Sequence, residues 1–266
     1  GDDYLLFYAE GPVTWRYDAS LSRYTHRLHA YSNVTYLFLR TDSPATLSVA
    51  QQGEMQANSP DVSQFTLCGV LDQSVYNTHH SGQMWASEKF LNGNSKELTV
   101  SLGVPVTGTV KARLLMAVPN DQPGTFALTS GSQSTSCYLS RTDDFKHFNI
   151  EGCAPTFRLA FSASGTTEGY LDYIEINATQ AVTMGSGQLL LHVDEGTAQG
   201  QVARHVVGHG GQSPLVWDVT QPHAAEAMRT TREGNNIVFT NTRDQRRDYA
   251  IFTPTQVLTP VSISPI

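Results

Sequence analysis

Short runs of β-branched, aromatic and alternating residues, separated by turn clusters, constrain the fold of this chain more than any other feature. The turn clusters include Pro119–Gly124, Ser164–Gly169 and Glu233–Asn236. Many short strands with frequent turns are typical of antiparallel β-sandwiches. The sequence therefore predicts an all-β protein with strands at Tyr4–Tyr8, Val34–Leu39, Thr46–Ala50, Val110–Val118, Thr125–Thr129, Phe157–Ser162, Leu171–Asn177, Leu189–Val193, Val202–Val207, Ile237–Thr240 and Tyr249–Thr253.

Composition limits the number of domains and the classes of partner. A chain of 266 residues is long enough for two sandwich-sized units. The net charge is -7 and the longest basic cluster is Arg246-Arg247, whereas nucleic acids and anionic membranes are bound through basic patches. We therefore expect no nucleic-acid partner. No apolar stretch is long enough for a membrane helix, so no membrane span is expected.

Glycine-rich segments suggest two domain boundaries. One lies near Asn92–Ser95 and the other around Ala178–Gly187. We predict a first part of a β domain at residues 1–90, a jelly-roll-like sandwich at 91–180 and a second part of the β domain at 181–266. Asp3–Phe7 and Asp248–Phe252 share an Asp-Tyr-apolar pattern, so the two flanking parts are expected to pack together through adjacent strands. Only His223–Arg229, after Pro222, favours a short helix.

The three cysteines offer no disulfide framework. Cys68, Cys137 and Cys153 are an odd number at long spacing. Cys137 and Cys153 could form a disulfide bond in an oxidising compartment. The alternative, which we favour, is that all three are small buried side chains.

Histidines give no convincing catalytic or metal site. Gly208–Gly211 contains His209 in a setting that a Cys–His peptidase could use, but every cysteine precedes it, so we predict a glycine-rich turn. His205 and His209 are four residues apart on a predicted strand, which separates them too far for one ion. The pairs His79-His80 and His26/His29 also lack ligand partners at suitable spacing. We therefore expect exposed polar histidines, no metal and no cofactor.

Carboxylates and aromatic residues suggest the remaining candidates. Asp172 and Glu175 could form a glycosidase pair, but strict alternation along a strand would place them on opposite faces. The residues Trp15, Trp85 and Trp217 lie in apolar segments and are predicted to pack in cores. Possible glycan contacts are Tyr138, His147 and Tyr170.

Four segments in order resemble one protein family. They are Asp3–Trp15, Ser81–Phe90, Gly169–Asn177 and Leu215–Pro222. Together they resemble the non-catalytic region before the peptidase domain of PorU-like, gingipain-family cysteine peptidases, the sortases of type IX secretion. Ser81-Gly-Gln-Met-Trp85 departs from the family's Ser-Gly-Arg-x-Trp segment, so any role of that Arg does not carry over.

The resemblance implies a fold, a location and partners. The middle block is expected to be a jelly roll of the galactose-binding type. The chain is expected to be a non-catalytic accessory region, without catalytic residues, of an exported protein at the cell surface and outer membrane. Its partners would be the C-terminal peptidase domain of the parent chain, other secretion-system proteins or a surface glycan. Two alternatives stay open, namely a carbohydrate-binding module and a structural adhesin-type β protein.

Overall fold

A computed structural model describes residues 5–29, 32–38, 49–78, 84–119, 122–143, 145–194 and 197–263. The protein is all-β, as predicted, and its sheets are mainly antiparallel. In chain order the strands are β1 (Val13–Asp18), β2 (Arg23–Leu28), β3 (Ala50–Gln51), β4 (Phe65–Asp72), β5 (Tyr76–Asn77), β6 (Trp85–Ala86), β7 (Glu88–Leu91), β8 (Ser95–Thr99), β9 (Thr109–Ala117), β10 (Gly124–Ser130), β11 (Gln133–Leu139), β12 (Phe145–Glu151), β13 (Thr156–Ala163), β14 (Glu168–Gln180), β15 (Leu189–Val193), β16 (Val202–Gly208), β17 (Leu215–Asp218), β18 (Glu226–Ala227), β19 (Thr231–Glu233), β20 (Asn236–Thr242) and β21 (Arg247–Phe252).

The chain forms two compact units. The flanking unit comprises Gly1–Thr14, Arg27–Thr66 and Gln180–Ile266, and the sandwich unit comprises Trp15–His26 and Leu67–Thr179. The predicted boundary at residue 91 differs from this division, because residues 15–26 and 67–90 lie in the sandwich unit. Their strands explain the placement, since β7 pairs with β14.

Two sheets form the core of the sandwich unit. One has the order β11-β10-β13-β8, and the other has the order β12-β9-β14-β4 with β7 also paired to β14. Between them, the Phe126 ring contacts the rings of Phe90 and Phe161 at centroid distances of 5.4 and 4.8 Å. A Cβ at Gly169 would lie 2.6 Å from the Phe161 ring. Gly169 belongs to one of the four family-like segments. A glycine is required there because β14 passes against this aromatic cluster.

The flanking unit has a sheet of order β15-β21-β17-β18-β3 and a smaller sheet of order β16-β20-β19. Its core includes His205 of β16, whose ring stacks on Phe239 at 5.0 Å and meets Tyr249 at 5.2 Å. Trp217, Val219 and Phe252 form a second apolar cluster.

Three local predictions were wrong. Leu5–Tyr8 is not a strand, because both edges of β21 are already occupied by β15 and β17. Leu6 and Tyr8 instead pack against the Trp217 cluster. Residues 34–38 also lack strand structure, and the predicted helix at His223–Arg229 is reduced to a 3₁₀ turn at Pro222–Ala224, followed by β18. A second 3₁₀ turn spans Pro254–Gln256.

Candidate functional site

A buried ionic cluster joins strand β2 to two strands of the sandwich unit. His26 of β2 lies between two carboxylates, with Nδ1 2.6 Å from Glu175 Oε2 and Nε2 2.8 Å from Asp72 Oδ2. The backbone N–H of His26 also donates to Glu175 Oε2 at 3.0 Å. Only 6% of the His26 side chain and 1% of the Glu175 side chain are exposed. We call these residues, with Arg113 and Asp172, the His26 cluster.

The charges in the His26 cluster oppose the cost of burial. Burial alone would lower the pKa of His26, but hydrogen bonds and charges from Asp72 and Glu175 outweigh it and raise that pKa to about 9. Arg113 Nη1 lies 3.7 Å from Glu175 Oε1 and provides a second cation. His26 is therefore a charged imidazolium at neutral pH, so the prediction that it is an exposed polar histidine was wrong.

A β-bulge places Asp172 beside the same imidazole. The register between β14 and β9 shifts between Leu171 and Tyr173, which makes Asp172 the extra residue. Burial and the charge of Asp72 raise the pKa of Asp172 to about 7, although His26 opposes this. Both Asp172 and Glu175 thus interact with His26, contrary to the opposite faces that strict alternation predicts.

The His26 cluster is suited to holding strands together and not to proton transfer. Both ring nitrogens of His26 contact carboxylates, so neither is available to a substrate, as a general base requires. The Tyr173 ring meets the His26 ring edge-on at 4.6 Å, and its hydroxyl lies 3.0 Å from His147 Nε2. The side chain of Asn177, on the same strand as Glu175, also bonds the backbone N–H and carbonyl of Tyr24.

Replacing Asp172 by Asn should stabilise the protein at alkaline pH. A folded pKa of about 7 against the ordinary value of 3.8 for an aspartate means that the native state holds this proton more tightly than the unfolded state. The resulting stability is complete below the unfolded pKa and is lost as pH rises through the folded pKa. Urea unfolding from pH 4 to 8 should therefore show a smaller decline for Asp172→Asn than for the native protein. Identical slopes would contradict the buried-carboxyl interpretation.

The three predicted glycan contacts lie on three different strands of the sandwich unit. Tyr138 is 56% exposed on β11, whereas His147 of β12, in the other sheet, bonds Tyr173. Tyr170 is buried on β14, and its hydroxyl donates to Glu168 Oε2 at 2.5 Å. Their convergence on one glycan stays a prediction.

The tryptophans and the remaining histidines divide between core and surface. Trp217 is 6% exposed, but Trp85 is 42% exposed, so the core prediction for Trp85 was wrong. His205 is buried among aromatic rings, and burial lowers its pKa to about 4, which corrects its predicted exposure. His209 lies in a turn in which its ring accepts from Gly211 N–H at 2.9 Å. His79 and His80 lie outside the described residues.

The cysteines are thiols in this fold. No disulfide joins Cys68, Cys137 and Cys153. Cys137 and Cys153 are buried, and burial raises the pKa of both thiols, that of Cys153 to about 11. A nucleophilic cysteine requires the opposite shift.

Metal sites and membrane-spanning helices are the two remaining classes of feature. No group of three His, Cys, Asp or Glu side chains there has an arrangement that could hold a metal ion. No helix in the same residues is long and apolar enough to cross a membrane.

The fold has a clear counterpart among solved structures. The chain is similar to dimeric latent PorU from Porphyromonas gingivalis, with a TM-score of 0.75 and 18% sequence identity over 94% of this chain. It spans 26% of the length of that PorU chain. At this identity the likeness shows a shared fold, that of a PorU-like region.

The other comparisons add no family assignment. No protein-family model matches the chain, and no curated protein matches its sequence. The xylan-binding module CBM15 aligns with 42% of this chain and 90% of its own length at 10% identity. Its TM-score of 0.24 is too low to indicate a shared fold.

Sequence reasoning named Tyr170 but missed the other residues around Trp85. Its side chain borders a cavity shared with Tyr76, Lys89 and Glu168. The exposed face of Trp85 has no sequence signature, since the surrounding Met84 and Ala86 are apolar. The Tyr-Asn pair of β5 could have signalled the cavity only if its pairing with β6 had been known.

Proposed function

We propose that this chain is the non-catalytic accessory region that precedes a gingipain-like cysteine peptidase or sortase domain. The parent protein would be exported to the cell surface, associated with the outer membrane, and would process cargo of type IX secretion. The observation that carries the proposal is the similarity of almost the whole chain to about a quarter of PorU. The four segments that resemble the family, in the same order, give the proposal independent support.

The chemistry of the candidate nucleophiles favours a supporting role. A Cys–His peptidase needs a thiolate within hydrogen-bond reach of an imidazole. Cys137 and Cys153 have raised pKa values, and both nitrogens of His26 are held by carboxylates. Catalysis is therefore assigned to the peptidase domain of the parent chain.

The flanking unit offers apolar surface for that domain. Tyr36 and Phe38 are 76% and 78% exposed. Leu258, Val261 and Ile263, near the C-terminal end, are at least 85% exposed. Large exposed apolar groups commonly mark protein interfaces, and we assign these two segments to contact with the peptidase domain.

Hydrogen exchange should detect this contact. Residues 34–38 and 257–263 should exchange more slowly in the parent protein than in the isolated chain, by about tenfold or more, because docking closes them to solvent. Residues 134–136, which are exposed on β11 of the sandwich unit, are the internal control and should exchange equally in both. Equal exchange of the apolar segments would contradict the docking.

A variant connects the contact to the function. The parent protein carrying Tyr36→Ser and Phe38→Ser should lose the protection at residues 34–38 and accumulate cargo that retains its C-terminal sorting domain. Tyr138→Ser, at another exposed aromatic residue, is the matched control. Normal cargo processing by the double variant, with its protection lost, would separate the contact from the proposed function.

A further inference from the structure

A cavity in the sandwich unit lies between the β5–β6 hairpin and the β7–β14 pair. It is an open depression with a volume of about 490 Å³. We call it the Trp85 pocket. Its main lining residues are Tyr76, Asn77, Trp85, Lys89, Glu168 and Tyr170.

Strand pairing places the two walls of the Trp85 pocket. Asn77 is the cross-strand partner of Trp85 in the hairpin, so the amide and the indole lie on one face. Lys89 is the partner of Tyr170, and Glu168 lies two residues before Tyr170 on the same face of β14. Both walls are therefore set by backbone hydrogen bonding and are formed before any ligand arrives.

Aromatic rings give the pocket an apolar side. Trp85 is 42% exposed, an unusual position for the side chain with the most apolar area to bury. The rings of Tyr76 and Tyr170, which also line the pocket, are 6.5 Å apart and belong to a small core cluster. The exposed indole of Trp85 adds a flat apolar surface to the pocket.

Polar groups complete the site without a net charge. Lys89 Nζ forms an ion pair with Glu168 Oε1, and Tyr170 donates to Glu168 Oε2. These two hydrogen bonds, led by that of Lys89, lower the pKa of Glu168. Asn77 Oδ1 is buried and makes no hydrogen bond among the described residues. Asn77 also lines the pocket, where its amide can bond a ligand hydroxyl.

We propose that the Trp85 pocket binds a neutral hexose unit of a glycan. One face of a pyranose ring carries C–H groups that pack on the Trp85 indole, and its hydroxyls match the amide of Asn77 and the Lys89–Glu168 pair. An anionic ligand is disfavoured because the cation of the pocket is already paired with a carboxylate. Neither charge is free to select an oppositely charged peptide.

Titration calorimetry with the 266-residue chain tests the proposal, using cellotetraose, maltotetraose and mannotetraose alongside an array of neutral and acidic glycans. At least one neutral glycan should bind. Trp85→Ala should weaken that binding by about tenfold or more, equivalent to about 1.4 kcal/mol, and Asn77→Leu should weaken it as well. Thr135→Ala, which changes an exposed side chain on β11 of the same unit, should leave the affinity unchanged.

Several results would overturn the proposal. They are the absence of binding to any neutral glycan at millimolar concentration, exclusive binding of acidic glycans, or unchanged affinity in Trp85→Ala. Weakened association of Trp85→Ala with the peptidase domain, without glycan binding by the native chain, would assign the pocket to a protein contact instead. Matching urea midpoints for native protein and Trp85→Ala would show that any lost affinity is not caused by unfolding.

Discussion

Replacing Trp217 by Ala is expected to lower the free energy of unfolding by about 3–5 kcal/mol. Trp217 is 6% exposed and meets the Phe252 ring edge-on at a centroid distance of 5.2 Å. Its truncation removes the largest member of the cluster with Val219 and Phe252 and leaves a cavity that neighbouring strands cannot close. The loss is a large part of the ~5–15 kcal/mol stability of a typical domain. Urea unfolding, followed by circular dichroism, measures it.

Trp85→Ala is the matched control for this experiment. The same atoms are deleted, but Trp85 is 42% exposed, so the expected cost is at most about 1 kcal/mol. Equal stability losses at the two positions would contradict the division between core and surface. Unchanged stability of Trp217→Ala together with lost glycan binding would instead make Trp217 a ligand platform.

Local patterns predicted the elements whose structure depends on neighbours in sequence. Val110–Val118 and Leu171–Asn177 alternate or contain β-branched residues, and they lie in β9 and β14. The turn at His209 follows from its flanking glycines. In contrast, Leu5–Tyr8 has the composition of a strand, but no free edge of β21 remains for it. A high strand propensity shows that a segment suits a sheet. The availability of a pairing partner decides whether the segment becomes a strand.

The His26 cluster was beyond sequence reasoning for a physical reason. Its carboxylates, Asp72 and Glu175, are 46 and 149 residues from His26. Their meeting depends on β2 lying beside β14, which no local pattern encodes. The bulge at Asp172 is equally hidden, because the sequence continues to alternate while the register changes. Long-range pairing and its irregularities thus determine which polar residues meet.

Removing His26 should have an effect as large as removing Trp217, but through charge. His26→Ala would leave Asp72 and Glu175 buried near each other without the cation between them. Breaking one partner out of a buried ion pair typically costs about 3–5 kcal/mol. Their side chains are only 11% and 1% exposed, so water cannot replace the lost contacts. Urea unfolding at pH 7 measures the cost, and His223→Ala, at an exposed histidine, is the control.

The pH dependence of stability distinguishes a contribution from the charge of His26 from one that depends only on packing. The pKa of His26 is about 9 in the folded protein against the ordinary value of 6.5 for a histidine, so the folded state binds its proton more tightly. This contribution is complete below about pH 6.5 and is lost as pH rises through about 9. His26→Gln, which keeps a polar side chain but cannot ionise, should therefore lose the decline in stability across that window. If His26→Gln retains the native slope between pH 6.5 and 9, the imidazolium does not hold β2 to the sandwich unit.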